Sequence, residues 1–322
     1  MTARITVIIP AFRSAETVGA AVASALGQTV DCQVIIVDDA SPDGTVAAAH
    51  AAAQGSPRVS ILEQAENQGP AAARNRAIAA AETEFIALLD ADDRMAPDRL
   101  EALMQYADSR NWDFVADDQW RVSDWGRVDA ATRLWRDQPF GDLELTLEEF
   151  VLENLTRRCG RGRELGFIKP LMRREALLRH NLLYDETMRL GEDFDLYARA
   201  LAAGLSFGLV DPLGYYAFNS KGSLSREHRA EDLKGLWRAS KVLHRRSGLP
   251  RAAREALKAH ALYTHGKWAW ARLIEAKQNR DVVNAVGAFI APPSVIGGLF
   301  RNIGHHVRGR SGAKPAACEE LA

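Results

Sequence analysis

The sequence predicts an α/β fold: a mostly parallel sheet flanked by helices, with a helical C-terminal region after it. Three observations carry this. Short apolar runs rich in β-branched residues alternate with helical spacings through the first hundred residues. Acidic clusters fall just after the second and fourth of these runs, where open parallel sheets place their ligands. From about residue 230 onward the apolar spacing is helical throughout.

The elements come in order. Arg4–Ile9 is a buried strand, and Ser14–Leu26 is a helix with Val18, Val22 and Leu26 on one face. Val34–Val37 is a second strand, ending at Asp38-Asp39, and Ser41, Pro42 and Asp43 open a helix through His50. Arg58–Leu62 is a third strand. Gly69-Pro70 opens the helix Ala71–Ala81, with proline in its favoured first turn. Phe85–Leu89 is a fourth strand, ending at Asp90-Ala91-Asp92-Asp93, and Asp98–Tyr106 is the next helix. Beyond Asp113–Asp117 the texture is irregular, with Trp112, Trp120, Trp125 and Trp135 among charged residues. Leu165–Met172 reads as a strand, Gly191–Ala203 as a helix, and Phe207–Val210 and Tyr215–Phe218 as short strands. Asp232–Arg246 and Ala252–Ala276 read as helices. The texture changes near residue 225, which divides the chain into 1–225 and 226–322.

Composition narrows the function classes. Of 322 residues, 47% are hydrophobic and 26% charged, so there is ample material for a core and no case for a disordered chain. A net charge of -1 argues against a whole-chain nucleic-acid binder, and no nucleic-acid partner is expected. Cys32, Cys159 and Cys318 have neither disulfide nor zinc spacing, which fits a reducing cytoplasm. The N-terminal apolar run is too short for an export signal.

The candidate chemistry is acidic. Asp90 and Asp92 lie two apart, and in extended geometry they would project to one side. Close carboxylates repel unless a cation lies between them, and magnesium commonly joins one or two carboxylates to substrate phosphates. The other reading of these residues is a solvated helix cap. Asp38-Asp39 carries the same two readings, and Glu192-Asp193 starts a helix, where the dipole favours carboxylates. There is no Gly-x-Gly-x-x-Gly after the first strand, no Walker-type loop and no recognisable nucleophile setting.

Five segments together resemble a known family. They are VIIPAF at Val7–Phe12, VDDASPDGT at Val37–Thr45, NQGPAAARN at Asn67–Asn75, LDADDRMAPDRL at Leu89–Leu100 and GEDFDLYARAL at Gly191–Leu201. In this order they resemble the signature of family 2 inverting glycosyltransferases, whose fold is the Rossmann-like GT-A fold. The resemblance spans roughly residues 4–220. It implies a nucleotide-sugar half at about 1–117 and an acceptor half at about 118–225. It further implies that Pro10, Phe12 and Glu16 line the nucleotide pocket, with Asn67 beside it, and that Asp39 recognises the uracil N–H. Arg74 would contact the nucleotide, Asp90 and Ala91 would belong to the ribose and metal motif, and Asp92 would hold Mg2+ or Mn2+. Asp193 would be the catalytic base, with Glu192 beside it. Ala11 and Arg13 depart from the family's usual small polar residue and asparagine.

A narrower resemblance rests on GFIKPLMRREAL at Gly166–Leu177 and WDFVADD at Trp112–Asp118. These are similar to glucosyltransferases of succinoglycan biosynthesis. That implies a UDP-hexose donor, UDP-glucose foremost, and a polyprenyl-diphosphate-linked oligosaccharide acceptor at the cytoplasmic membrane face. Trp120, Trp125 and Trp135 would either stack on acceptor sugars or pack internally. Three other readings compete. One is transfer from another UDP-sugar into a different polysaccharide or glycolipid. The second is nucleotidyl transfer, which would call for a glycine- and lysine-rich loop that is absent. The third is a catalytically silent carbohydrate-binding subunit.

The net charge conceals an asymmetry. Residues 226–314 carry 18 basic against 6 acidic side chains, whereas residues 1–225 carry 23 against 34. Within the basic part, Val282–Phe300 has no charged residue, and Pro292-Pro293 interrupts it. A spanning, an interfacial and a packed segment are all readings of that stretch. A basic region of this kind is either a solvated face or a surface for peripheral, salt-sensitive contact with anionic lipid.

Overall fold

The computed structural model describes residues 3–155, 164–218 and 229–309. Two compact units divide them. One takes in residues 3–150 and 165–218, the other 151–155, 164 and 229–309.

In the first unit, β1 (Ile5–Ala11), β2 (Cys32–Asp38), β3 (Val59–Glu63) and β4 (Phe85–Leu88) run parallel. They are joined through α1 (Val18–Leu26), α2 (Thr45–Ala53) and α3 (Pro70–Ala80). Then come β5 (Arg94–Met95), α4 (Arg99–Arg110), β6 (Phe114–Asp117), β7 (Trp120–Val122), β8 (Thr132–Arg133), β9 (Asp142–Glu144) and the first four residues of α5 (Leu147–Glu153), whose remainder belongs to the second unit. The unit ends with β10 (Leu171–Arg173), α6 (Arg174–Arg179), α7 (Glu192–Ala202), β11 (Phe207–Val210) and β12 (Tyr215–Phe218).

The large sheet has the order β3-β2-β1-β4-β10-β6-β11-β9. β10 is antiparallel to both neighbours, and β9 is antiparallel to β11. A smaller sheet has the order β5-β12-β7-β8. Ile5, Val7, Ile8 and Ile9 have no exposure, which is why β1 reads as a continuous apolar run and not as an alternation. The chain steps from β1 outward to β3 and then returns to β4 on the other side. That reversal opens a crevice at the carboxyl ends of β1 and β4.

One detail differs from the sequence expectation. Leu165–Met172 is not one strand: a 3-10 turn at Leu165–Phe167 precedes Lys169-Pro170, and pairing begins only at Leu171. Proline has no N–H for a ladder, and Lys169 turns into a buried acidic cluster instead of pairing. Trp112 and Trp135 are buried at 5% and 3% exposure, so packing claims both. The Trp112 ring lies against Gly208 of β11, where an added Cβ would come within 1.9 Å of it. Cys32 is a buried thiol donating to the Ala25 carbonyl, and burial pushes it up to about 11. Cys159 and Cys318 lie outside the described residues.

A fully buried ion pair sits beneath the crevice. Arg99 Nε donates to Asp117 Oδ1 at 2.9 Å, Nη2 donates to the Lys169 carbonyl at 2.6 Å, and the guanidinium lies 4.8 Å from the Tyr215 ring. Asp117 Oδ2 accepts the backbone N–H groups of Leu213 and Tyr215. Both side chains have 0% exposure.

The second unit holds α8 (Ala230–His244), α9 (Arg251–Gln278), α10 (Val282–Gly287) and α11 (Pro293–Gly309). The side-chain pairs Ser240–His260, Trp237–His265 and Trp237–Trp268 run in opposite directions along α8 and α9, so the two helices are antiparallel. The uncharged stretch breaks at Pro292 into α10 and α11. Among the described residues no helix is long and apolar enough to cross a membrane. The spanning reading of Val282–Phe300 therefore falls.

Each core yields a stability test. Arg99→Met strands the Asp117 carboxylate in the interior, and denaturant unfolding should register a loss of about 3–5 kcal/mol. Within the helical unit, burial and then Lys267 push His260 down from 6.5 to about 3. The neutral ring therefore contributes its stability fully above about 6.5, and the contribution fades as pH falls from there toward 3. Relative to a His260→Gln variant, the wild-type chain should lose about 1.4 kcal/mol more per pH unit across that window. Unfolding curves at a series of pH values measure the difference.

Candidate active site

The loops at the carboxyl ends of β1 and β2 bind each other. Arg13 N–H donates to Ser41 Oγ, Ser14 N–H to Thr45 Oγ1 and Asp39 N–H to the Ala11 carbonyl. Pro10 is half-buried at the end of β1, while Phe12 and Glu16 are exposed beyond it. Arg13 adopts φ 52°, a left-handed conformation that asparagine tolerates well and arginine rarely takes. Its guanidinium lies 5.2 Å from the Phe12 ring.

Asp38 and Asp39 divide their work. Asp38 Oδ2 accepts the Ser41 N–H at 2.9 Å, and its buried Oδ1 has no hydrogen-bond partner among the described residues. Asp39 Oδ1 accepts from Gln64 Nε2 and from the Gln68 N–H at 2.7 Å, while Oδ2 accepts the Gly69 N–H at 2.8 Å. Asn67 Nδ2 donates to the Asp39 carbonyl at 3.2 Å. Asp39 thus ties down the segment that leads into α3.

Arg74 projects from α3 into the centre of the site. Its Nη1 donates to Glu192 Oε1 at 2.8 Å and lies 3.5 Å from Asp193 Oδ1; its Nη2 donates to Asp90 Oδ1 at 3.0 Å. The guanidinium stands 5.3 Å from the Tyr184 ring. Lys169 Nζ enters from the opposite side of the cluster, donating to Asp193 Oδ2 at 2.8 Å and lying 3.0 Å from Asp90 Oδ2. Two buried cations therefore hold three carboxylates. Burial works against each charge, but the opposite charges win. Arg74 and Lys169 are pushed up by Asp193 and Asp90, and Asp90 is held at about 2 by Lys169 and Arg74.

The acidic turn after β4 does not continue in extended form. The Asp93 N–H donates to the Asp90 carbonyl, closing a turn with buried Ala91 inside it. Asp93 is buried, accepting from the Tyr215 hydroxyl at 2.7 Å and from the Phe218 N–H at 2.7 Å. Burial, then Asp90 and Asp92, push Asp93 well above the usual carboxylate range. Asp92 is half-buried, and among the described residues no ion pair reaches it. Burial first and Asp90 second push it up to about 6.

This is a place where a cation is wanted. The described residues contain no group of three or more metal-type side chains. One carboxylate completed by phosphate oxygens is nonetheless the ordinary magnesium arrangement, so Asp92 fits that role.

The structure thus brings together Arg74, Asp90, Glu192 and Asp193, places Ala91 and Asp92 in the adjoining turn, and bonds Asp39, just past β2, to the segment around Asn67 that leads into α3. Sequence reasoning missed Lys169, Tyr184 and Tyr215. A lysine inside an apolar run is the one signal that pointed to Lys169, because such a charge needs a buried partner. Of the tryptophans proposed for sugar stacking, Trp135 packs edge-on to Phe140, while Trp120 and Trp125 are half-buried. Trp125 stacks on Phe218 with Arg94 over its ring at 3.9 Å.

Comparison with known proteins agrees with this geometry. A family model described as Glycosyl transferase family 2 matches residues 6–159. Succinoglycan biosynthesis protein ExoU of Rhizobium meliloti (strain 1021) is 38% identical over 97% of this chain and 91% of its own length. Succinoglycan biosynthesis protein ExoO of the same organism is 32% identical over 94% and 86%. Among solved structures, S. aureus TarS 1-349 in complex with UDP superposes with a TM-score of 0.66 at 20% identity, covering 95% of this chain and 87% of that one. The mannosyltransferase PcManGT of Pyrobaculum calidifontis, in complex with GDP-Man and Mn2+, gives 0.57 at 18% identity, covering 95% and 88%. These likenesses show the GT-A fold. Identity of 38% kept along nearly the whole of both chains, with the family match spanning the residues that supply Asp39, Arg74 and Asp90, makes this chain a member of glycosyl transferase family 2.

Proposed function

We propose that this family 2 glycosyltransferase moves a hexose from a UDP-sugar, UDP-glucose foremost, onto a polyprenyl-diphosphate-linked oligosaccharide during synthesis of a succinoglycan-like exopolysaccharide. The supporting observation is the meeting of Asp90 with Glu192-Asp193 across Arg74 and Lys169 at the carboxyl edge of the sheet. The whole-length similarity to two succinoglycan biosynthesis proteins supports the pathway. UDP in the TarS complex supports the nucleotide. In this reading residues 1–117 hold the nucleotide sugar, residues 118–225 shape the acceptor side, and residues 226–322 form the basic helical region.

Each residue has a task. Pro10, Phe12 and Glu16 border the nucleotide, with Asn67 beside them, and Asp39 accepts the uracil N–H. Arg74, Asp90 and Ala91 line the ribose and diphosphate end. Asp193 takes the proton of the acceptor hydroxyl as that oxygen attacks the anomeric carbon from the face opposite the leaving group. Its Oδ2 is held by Lys169, while Oδ1, buried and 3.5 Å from Arg74 Nη1, has no hydrogen-bond partner among the described residues and is the oxygen assigned to that proton. Glu192, held by Arg74, keeps the start of α7 in place. A Mg2+ or Mn2+ at Asp92 would supply positive charge to the departing diphosphate. Inversion in one displacement needs no protein nucleophile.

Two measurements test this. In a donor panel with lipid-linked oligosaccharide acceptors, UDP-glucose should give the fastest transfer. Asp193→Asn should cut that transfer by about 10²–10⁴-fold while UDP binding persists. Loss of UDP binding in the variant would remove Asp193 from the base role, and no UDP release from any UDP-sugar would favour a silent binding subunit. The second measurement uses Asp92 at about 6: the carboxylate is charged above that pH and gains a proton as pH falls through it. Metal-dependent UDP affinity, read by calorimetry with and without Mn2+, should drop about tenfold per pH unit below that value. Asp92→Asn should abolish the metal-dependent part at every pH.

A further inference from the structure

The uncharged stretch of the helical unit folds into a surface with two unlike sides. Val295 and Leu299 of α11 turn inward and form a buried cluster with Ala269 of α9, against which Leu262, Trp270, Phe289 and Ala291 pack. Asn284 of α10 accepts from Arg272 of α9 at 2.7 Å, and α10 approaches so closely that a Cβ on Gly287 would meet the Arg272 guanidinium at 2.6 Å. The stretch is therefore seated, not dangling.

The other side is bare. Val282, Val283, Val286 and Ile290 are 73%, 81%, 62% and 80% exposed, and Phe300 is 62% exposed. Val282, Val283 and Val286 share one face of α10 at spacings of one and four, and Ile290 comes one turn later. The Phe300 ring lies 5.6 Å from that of Phe289, which joins α11 to the same patch. Large exposed apolar side chains gathered in one short stretch and flanked by polar residues mark an interaction surface.

Cations outnumber acids in the chain that flanks the patch, three to one. Lys277, Arg280 and Arg301 are exposed in the chain on either side of it. The single acid, Asp281, is occupied by the N–H of Asn284 at 2.9 Å and by its side-chain amide at 2.6 Å. A second copy docking through this patch would set Arg280 and Arg301 of each chain against the same cations of the other. A surface of anionic headgroups over acyl chains complements both the cations and the apolar side chains.

We propose that α10 and the start of α11 form a membrane-docking face, in which Val282, Val283, Val286, Ile290 and Phe300 enter the headgroup–acyl boundary of an anionic bilayer and Lys277, Arg280 and Arg301 contact its headgroups. This goes beyond the lipid-linked acceptor of the proposed function by naming the residues that touch the bilayer, and it stands apart from the transfer chemistry.

The test is co-flotation of the full chain with vesicles of equal parts phosphatidylglycerol and phosphatidylcholine, compared with phosphatidylcholine alone. Binding should favour the anionic vesicles and should weaken, without vanishing, as salt is raised. Val283→Asp and Ile290→Asp, both at exposed positions, should each lower partitioning by about tenfold or more. Val242→Asp, at a 72% exposed position on α8, should not. UDP binding, measured on the same samples, should be equal in all four chains. Equal flotation of the patch variants and the wild type overturns the proposal, as does absence of wild-type binding. A wild-type dimer in light scattering that the patch variants split also overturns it and assigns the face to a second copy. Failure of the wild type to use any UDP-sugar would count against the enzymatic reading alone.

Discussion

An arginine with no exposure at all, Arg99, joins four segments that are distant in sequence. Its Nε and Nη2 reach Asp117 at the end of β6, Nη2 also reaches the carbonyl of Lys169, and its face meets the ring of Tyr215. A guanidinium has a fixed fork of donors, so these partners cannot slide independently. The consequence is geometric. With its carbonyl pinned, Lys169 carries its ammonium to Asp90 and Asp193. With its N–H bound to Asp117, Tyr215 places its hydroxyl between the Asp90 N–H and the Asp93 carboxylate. One buried pair thus sets both the cation that faces the acidic turn and the hydroxyl that supports it from behind.

Above this foundation the charge balance is uneven. Arg74 and Lys169 serve Asp90, Glu192 and Asp193, and in doing so they hold Asp90 far below the usual carboxylate range. Among the described residues Asp92 and Asp93, two and three residues on, make no ion pair, and burial pushes them the other way. Asp93 meets its need with a hydroxyl and a backbone N–H, as a buried polar group must. Asp92 does not. The negative excess is therefore localised at one side chain beside the crevice, which suits a ligand that brings its own cation. Within one short turn, Asp90 is ion-paired to Arg74 and Lys169 while Asp92 is not.

The half of the site that lies at the ends of β1, β2 and β4 was legible in the sequence, because buried parallel strands announce themselves as unbroken apolar runs and their acidic ends stand out. Glu192-Asp193 was legible as a helix start. The remainder was hidden for physical reasons. Arg99 and Lys169 act through long-range pairing, and no local pattern distinguishes a buried arginine on an amphipathic helix from an exposed one. β5 and β8 have two residues each, which is too short for a period of two to register. The uncharged stretch could be read three ways because charge alone does not say which side of a helix is covered. Only the packing of Val295 and Leu299 on Ala269 separates the inward face from the outward one.

Asp39 connects the end of β2 to the start of α3. A carboxylate offers about four lone-pair positions, and three N–H donors from Gln64, Gln68 and Gly69 already fill most of them. One position remains on Oδ2, so a nucleobase N–H can join the set without displacing the others. Gly69 holds φ 94°, which an L side chain rarely adopts, and in that conformation its N–H reaches Asp39 while Pro70 begins α3. Arg74 lies just over one turn further along the same helix. Anything that alters how Asp39 is satisfied therefore shifts the start of α3 and, with it, the guanidinium that holds Asp90 to Glu192. One carboxylate at the end of β2 thus sets where α3 begins and, through α3, the place of the guanidinium at the centre of the acidic cluster.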